Sequence, residues 1–408
     1  MFVYVHNQQG KPLMPTTPPK ARILLKRGKA KVVKRTPFTI QLLYGSSGYR
    51  QHITLGVDSG YEHIGLSAVT EKQELFSAEV LLRKDVSKLL TERRMYRKTR
   101  RSRKTRHRKC RFLNRIEKFK RNPLAPSIQH KLDSHIRIIQ KVISILSVTK
   151  IVIETANFDI QRIKNPSIRG NQYQKGDQLG FDNVRAYVLH RDGHICQHCK
   201  GCSKEPRLNV HHILQRSQGG SDRPDNLITL CKSCHDKLHA GSIQLKVKVT
   251  KGFKAETFMS IVKKRLILKL QELCGDVEET FGYITKNTRE QLGLVKSHQN
   301  DAFAIVGGIN QIRSGTQHLV KQVRKQNRKL FKGARSHIRN TASRFIKGFQ
   351  RYDKVKFLGK IYFILGRRIT GRFKLGSIVG KTLKIEPSCK KLKLIESFQT
   401  FLCDEWVY

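Results

Sequence analysis

Residues 52–82 read HITLGVDSGYEHIGLSAVTEKQELFSAEVLL, and their reading decides how the rest of the chain is organised. Three apolar runs, 52–60, 64–70 and 74–82, are separated by short polar turns carrying Gly, Glu and Lys, the pattern of a three-stranded meander. Asp58 ends the first run and is followed by Ser59-Gly60. An acid at a strand end is commonly a cap or turn residue, so its meaning depends on where the other acids fall. The chain is short of them: 30 Asp plus Glu stand against 82 Lys plus Arg, a formal balance of +52 over 408 residues.

Working outward, residues 1–45 alternate apolar runs with basic residues around a Pro cluster at 15–19, a small β-rich or mixed module. From Glu71 to Arg121 there is neither Gly nor Pro, which allows a long helix after the meander, ended by Asn122-Pro123. Inside that window RRMYRKTRRSRKTRHRKCR (93–111) carries twelve Lys or Arg in nineteen positions. Repulsion among these charges opposes a helix in isolation, and a polyanion alongside would favour it. Leu132, Ile136, Ile139, Ile143 and Leu146 form a helical stripe. Lys150–Glu154 follows as a buried strand ending in a second acid. Residues 161–180 read as a linker, 256–274 as a helix and FGYIT (281–285) as a strand. Asp301, with His298 three residues before it, opens a short apolar helix. The very basic tail ends in Gly-separated strand-like runs that suggest a small barrel. No fixed-period repeat is present.

Such a surface repels itself unless neutralised, and phosphate backbones do this with release of counterions, so nucleic acid is the expected partner. Membrane is a poor rival, because no apolar run approaches the roughly 20 residues of a spanning helix. The N-terminus has neither the charged start nor the apolar core of a secretory signal. Nine cysteines, four of them in two CxxC pairs, favour metal over disulfides in a reducing compartment. The expected location is cytoplasmic, bacterial or archaeal, and nucleoid-associated.

Cys196, Cys199, Cys231 and Cys234 form two knuckles suited to a closed tetrahedral Zn2+ site, with Cys202 as a spare ligand. The second knuckle closes VHHILQRSQGGSDRPDNLITLCKSCHDKLH (210–239). This stretch resembles the HNH nuclease motif, a ββα fold that clamps one divalent ion, through His211-His212, the turn Gly219-Gly220, Asn226 and His235. The resemblance implies His212 as general base and His211 and His235 as metal ligands. Asn226 would orient the base, and His239, one turn beyond His235, is an alternative ligand. The family commonly has Asp where this chain has His211. A purely structural zinc knuckle is the bland alternative.

Asp58, Glu154, His298 and Asp301, in the order strand-acid, strand-acid, helix-His/Asp, resemble the RNase H-like fold of RuvC-type nucleases. That likeness implies Asp58, Glu154 and Asp301 around Mg2+ (or Mn2+), with His298 catalytic. Ser59 stands where the family usually has Pro. An HNH module inserted into a split RuvC-like domain, with an Arg-rich helix between the first two segments, resembles the compact relatives of the CRISPR single-protein nucleases. GKPLMPTTPPKARILLKRGKAKVV (10–33), with Pro12-Leu13-Met14-Pro15, is similar to the segment that opens the IscB family.

The resemblance implies an α+β/α/β multidomain fold: a PLMP-type module at 1–50, RuvC-like segments at 51–82, 123–165 and 251–312, an Arg-rich bridge helix at 83–122, HNH with linkers at 166–250, and a small β-rich basic C-terminal domain at 313–408. It implies a monomeric protein bound 1:1 to a noncoding omega RNA that guides it to double-stranded DNA. HNH would cut the guide-paired strand and the RuvC-like site the displaced one. Arg93, Arg94, Arg97, Arg100, Arg101, Arg103, Arg106 and Arg108 would grip the guide. Two other readings compete: an RNA-independent HNH endonuclease of the homing or restriction type with a scaffold RuvC-like domain, and a noncatalytic RNA-binding scaffold.

Overall fold

The computed structural model describes residues 2–46, 48, 50–102, 124–156, 158–176, 178–218, 220–245, 247, 252–324 and 343–407. The chain forms two compact units, one of residues 1–156 with 258–408 and one of residues 157–257.

At the N-terminus β1 (Val3–His6), β2 (Pro12–Thr16), β3 (Ala30–Arg35) and β4 (Phe38–Leu42) form a sheet in the order β2-β1-β4-β3. Helix α1 (Pro18–Lys26) starts where Pro18-Pro19 need no backbone N–H partner. It buries Ala21, which joins Val3, Val5, Leu13, Ile40 and Leu42 in a small core.

The meander is present as expected. β5 (Thr54–Ser59), β6 (His63–Val69) and β7 (Glu74–Leu81) pair antiparallel in sequence. Helix α2 (Val86–Ser102) follows, with Arg93, Arg94, Arg97 and Arg101 exposed; for Arg100 only the backbone is described. Arg103, Arg106 and Arg108 lie outside the described residues. Helix α3 (Pro126–Ile143) carries the expected stripe slightly rotated. Leu132, His135, Ile139 and Val142 are buried, whereas Ile136 and Ile143 sit at the edge of the core. Then β8 (Lys150–Glu154) enters parallel to β5.

In the second unit, α4 (Val184–Arg191) is capped by the Asn183 side chain, which accepts from Ala186 N at 2.9 Å. β9 (Leu208–His212) and β10 (Leu227–Cys231) pair antiparallel, and α5 (Lys232–His239) follows directly.

The chain returns to the first unit within α6 (Lys254–Cys274), whose Phe258, Val262, Leu266 and Leu270 recur every four residues on one buried face. β11 (Val277–Thr280) pairs parallel with β8. The strand expected at 281–285 is therefore upstream of that position, and residues 282–285 open helix α7 (Gly282–Gln291). The error has a physical origin: VEET is a polar edge strand held by its ladder, while the apolar FGYI supplies a helix start. Helix α8 runs His298–Ile305 and is capped by Ser297, whose Oγ accepts from Asn300 N at 3.1 Å. Asp301 therefore sits in the first turn and does not open the helix.

β12 (Thr316–Gln322), β13 (Lys354–Phe357), β14 (Lys360–Arg367), β15 (Phe373–Gly376), β16 (Lys393–Glu396) and β17 (Phe401–Val407) complete the chain. β13 to β16 form an open four-stranded sheet in the order β15-β14-β13-β16, where a barrel was expected. β12 and β17 pair with each other and extend the main sheet, which runs β11-β8-β5-β6-β7-β12-β17. The buried carboxylate of Glu74 ties the β12 approach to the meander. It accepts from Ser67 Oγ at 2.6 Å, Arg313 Nε at 2.9 Å and Ser314 N at 3.0 Å, the set of partners a fully buried charge requires. Among the described residues no helix is long and apolar enough to cross a membrane.

His318 on β12 is 4 % exposed and stacks on Phe76 at 5.0 Å. Burial, helped by the Lys354 and Lys34 cations, pushes its pKa down to about 4. A histidine held neutral in the fold contributes stability that is complete above about pH 6.5 and is lost as pH falls toward 4. The contribution reaches about 3 kcal/mol. Comparing urea midpoints at pH 7.5 and 5, His318→Leu is expected to show a smaller acid-side drop than the parent. An equal drop would assign the acid sensitivity elsewhere.

Candidate active sites

In the first unit the parallel register places Asp58 directly beside Glu154, while Ser59 Oγ donates to Glu154 O at 2.7 Å and fixes the strand ends together. Helix α8 crosses β5 and β6 at two glycines. A Cβ at Gly56 would lie 2.1 Å from Ala302 O, and one at Gly65 would lie 1.8 Å from His298 O. Only glycine permits this approach, and it brings His298 and Asp301 to the acids. His298 Nδ1 meets Asp58 Oδ2 at 2.6 Å, and this hydrogen bond raises the His298 pKa.

Burial pushes both Glu154 and Asp301 above the usual carboxylate range, and repulsion from Asp58 adds to each. Thr285 opposes the shift at Glu154 by hydrogen bonding. At Asp301 the opposing charge is Arg289, 8 % exposed, with Nε 2.8 Å from Asp301 Oδ1. Partly buried acids that repel one another are what a divalent cation relieves, and Asp58 and Asp301 retain 13 % and 16 % side-chain exposure. The three acids are not drawn to within 4.8 Å of one another as a set. Among the described residues the sets that are so close are Cys196/Cys199/Cys231/Cys234, His211/His235/His239 and His63/Glu79/His298.

In the second unit the ββα geometry follows from the ladder. His211 pairs across from Ile228 and His212 from Leu227, and Cys231 leads into α5. His211, His235 and His239 converge, with ring centroids 5.1, 5.1 and 4.5 Å apart. Burial and the neighbouring histidines hold His211 down to about 4, so its imidazole is neutral and its lone pair available. Both ligand alternatives, His235 and His239, thus face the same point. His212 Nε2 meets Asp222 Oδ1 at 2.8 Å, and Arg216 Nε donates to that oxygen at 2.8 Å. Asn226 is buried and pins the loop. It accepts from Leu214 N at 2.9 Å and donates to Leu214 O at 2.9 Å and Ser221 O at 2.8 Å. All three of these bonds go to the loop backbone and none to the His212 ring, so any influence on His212 runs through that loop. Gly220 belongs to the same turn, where a Cβ would meet Leu214 O at 1.7 Å; Gly219 lies outside the described residues.

The four cysteines fit zinc. Cys199 and Cys231 Sγ are 3.9 Å apart, against about 3.8 Å for a tetrahedron of 2.3 Å Zn–S bonds. Hydrogen bonding with Ser203 lowers the Cys199 thiol to about 5, toward the thiolate that a metal binds. Cys202 is exposed and outside the cluster. Cys231→Ser is expected to lose one zinc per chain and to open residues 157–257 to protease, since binding energy at such sites is folding energy. Retained zinc with unchanged proteolysis would make the site dispensable.

Sequence reasoning missed Arg289, Thr285, Asp222, His63 and Glu79. Thr285 and Arg289 did leave a trace, as polar residues four apart on what proves to be the buried face of α7.

Residues 3–176 match the RRXRR protein family and residues 196–241 the HNH endonuclease family. The chain is 38% identical over 71 residues to a probable HNH endonuclease of Lactococcus phage SK1, covering 71% of it. It is 37% identical over 62 residues to the type IV methyl-directed restriction enzyme EcoKMcrA of Escherichia coli strain K12. That match spans 14% of this chain and 22% of the relative, so the chain spans about a fifth of that enzyme's length. Two Streptococcus thermophilus Cas9 structures, with AGGA and AGAA PAM, overlap locally. The first has a TM-score of 0.32 and 15% identity over 45% of this chain and 26% of the other. The second has 0.33 and 14% over 59% and 32%.

The chain belongs to the HNH endonuclease family. Its RRXRR region upstream of the HNH module is consistent with the IscB-like proteins that its motifs resemble.

Proposed function

We propose that this protein is an RNA-guided DNA endonuclease with two metal-dependent sites. The observation that carries the reading is the meeting of Asp58, Glu154, His298 and Asp301, drawn from segments separated by the basic helix α2 and by the 157–257 unit. The strand order β7-β6-β5-β8-β11, with β5 to β7 antiparallel and β8 and β11 parallel to β5, supports an RNase H-like fold for that site.

In the HNH unit, a carboxylate at Nε2 keeps the His212 proton there and leaves Nδ1 as the base that takes a proton from water. His211 with His235 or His239 would hold Mg2+ or Mn2+, which stabilises charge developing on the phosphate. In the other site Asp58, Glu154 and Asp301 would hold the ions, and His298 moves or holds a proton at Asp58. Arg93, Arg94, Arg97 and Arg101 on the exposed α2 support a grip on guide RNA phosphates, which salt would weaken steeply.

A second reading, an RNA-independent HNH endonuclease, draws on the likeness to EcoKMcrA. Purification decides between them. The protein is expected to carry a discrete noncoding RNA and, with Mg2+, to cut only duplexes matching its guide. Specific cutting by RNA-free protein would establish the second reading. Bound RNA with no cutting under any divalent ion would favour a scaffold.

A further inference from the structure

Beside the acid site, three side chains that the proposed reaction does not jointly use form a second ligand set. His63 begins β6, Glu79 lies on β7, and His298 begins α8. Their ligand atoms all lie within 4.8 Å of one another. His63 Nδ1 meets Glu79 Oε1 at 2.7 Å, and the His63 and His298 rings stack at 4.9 Å with 16° between planes. Side-chain exposures of 30 %, 26 % and 40 % leave an ion free to enter.

The geometry points to a zinc-binding site formed by His63, Glu79 and His298, whose occupation shuts down the adjacent acid site. Two imidazoles and a carboxylate are a donor set that zinc takes readily with one position left open. Mg2+ prefers oxygen ligands and their water, so the set selects against the ion expected at the acids. Closure asks little. Atoms now up to 4.8 Å apart must approach to about 3.3 Å, the separation set by bonds of 2.0–2.1 Å in a tetrahedron. Asp58 is already in place as the outer partner. With Nδ1 held against Asp58 Oδ2, His298 would offer Nε2 to the ion, which displaces any proton there, the arrangement in which a carboxylate orients a zinc-bound histidine. Inhibition follows from the same bond. Zinc on His298 holds Asp58 in that pairing, removes His298 from proton handling and sets a dication against any ion at the acids.

The cation site stands on geometry alone; the inhibition rests on the proposed reading of Asp58, Glu154 and Asp301 as a nuclease site. The test separates the two. Full-length protein in excess Mg2+, with its cysteine-bound zinc in place, is dialysed against graded Zn2+ and the retained metal measured. Glu79→Gln and His63→Ala are each expected to weaken one zinc equivalent by at least about tenfold. His211→Ala, acting at the other histidine cluster, should leave that equivalent intact. In strand-resolved cleavage, Zn2+ should suppress cutting of the displaced strand in the parent, and Glu79→Gln should lose that sensitivity relative to its own zinc-free rate. Zinc retention identical in parent, Glu79→Gln and His63→Ala overturns the site. Zinc binding as expected, with no displaced-strand cutting by the parent in Mg2+ alone, overturns the nuclease reading and leaves the zinc site standing.

Discussion

Asp58→Ala is expected to abolish cutting of the displaced strand while the guide-paired strand is still nicked, and His212→Ala to do the reverse. The expectation rests on separation. The Asp58 cluster lies in the unit of residues 1–156 and 258–408, and the His212 cluster in the unit of residues 157–257. Among the described hydrogen bonds, each cluster is assembled within its own unit. Loss of a general base commonly costs 10²–10⁴-fold, so the His212→Ala defect should be of about that size. Loss of Asp58 removes both a cation ligand and the partner of His298, and is expected to be at least as severe. The assay is denaturing electrophoresis of duplexes labelled on one strand at a time. If Asp58→Ala left both cuts unchanged, the acid cluster would be scaffold and the RNA-independent reading would gain.

Gly65→Ala is expected to damage the acid site without touching any of its side chains. The new methyl group would sit 1.8 Å from His298 O, and that atom is helix backbone, which cannot swing aside as a side-chain tip can. Helix α8 must lift or slide. Its Ala302 and Phe303 are buried against the sheet, so the shift disturbs packing at a cost of about 1–3 kcal/mol. Displacing His298 and Asp301 by about an ångström relative to Asp58 is expected to slow displaced-strand cutting about 100-fold. Cutting by the HNH unit supplies the internal control, and a lowered thermal midpoint confirms that the helix moved. Unchanged displaced-strand cutting would show that α8 is not the element that positions these groups.

Asp58 and Glu154 were legible because each stands at the end of an apolar strand in a chain with 30 acids against 82 Lys and Arg, and His298 and Asp301 because they stand one helical turn apart. The cysteine knuckles and the histidine pair at 211–212 were legible because metal ligation imposes short, regular spacings. What hid were residues whose roles arise only from folding. Arg289 becomes the counter-charge of Asp301 once α7 and α8 pack, Asp222 meets His212 from ten positions along the chain, and Glu79 meets His63 across a strand pair. Local pattern also misled at FGYIT, where the ladder to β8 had claimed the preceding polar residues for the strand. The C-terminal runs read as a closed barrel because a sequence does not show that its last strand leaves to pair with β12.

That departure has a consequence for how the tail can be altered. Gln322 and Phe401 face each other as ladder partners, so the two ends of everything between them lie about 5 Å apart. Strands β13 to β16 lie between these partners in sequence and form their own sheet, so the chain leaves the main sheet and re-enters it at adjacent points. Changes of length between the two ends therefore leave the strand order of the main sheet as it is. The room for variation has a floor, because Phe363, Ile378 and Phe398 share a core with Leu319 and Leu402 of the two main-sheet strands, so an exchanged segment must keep that apolar face.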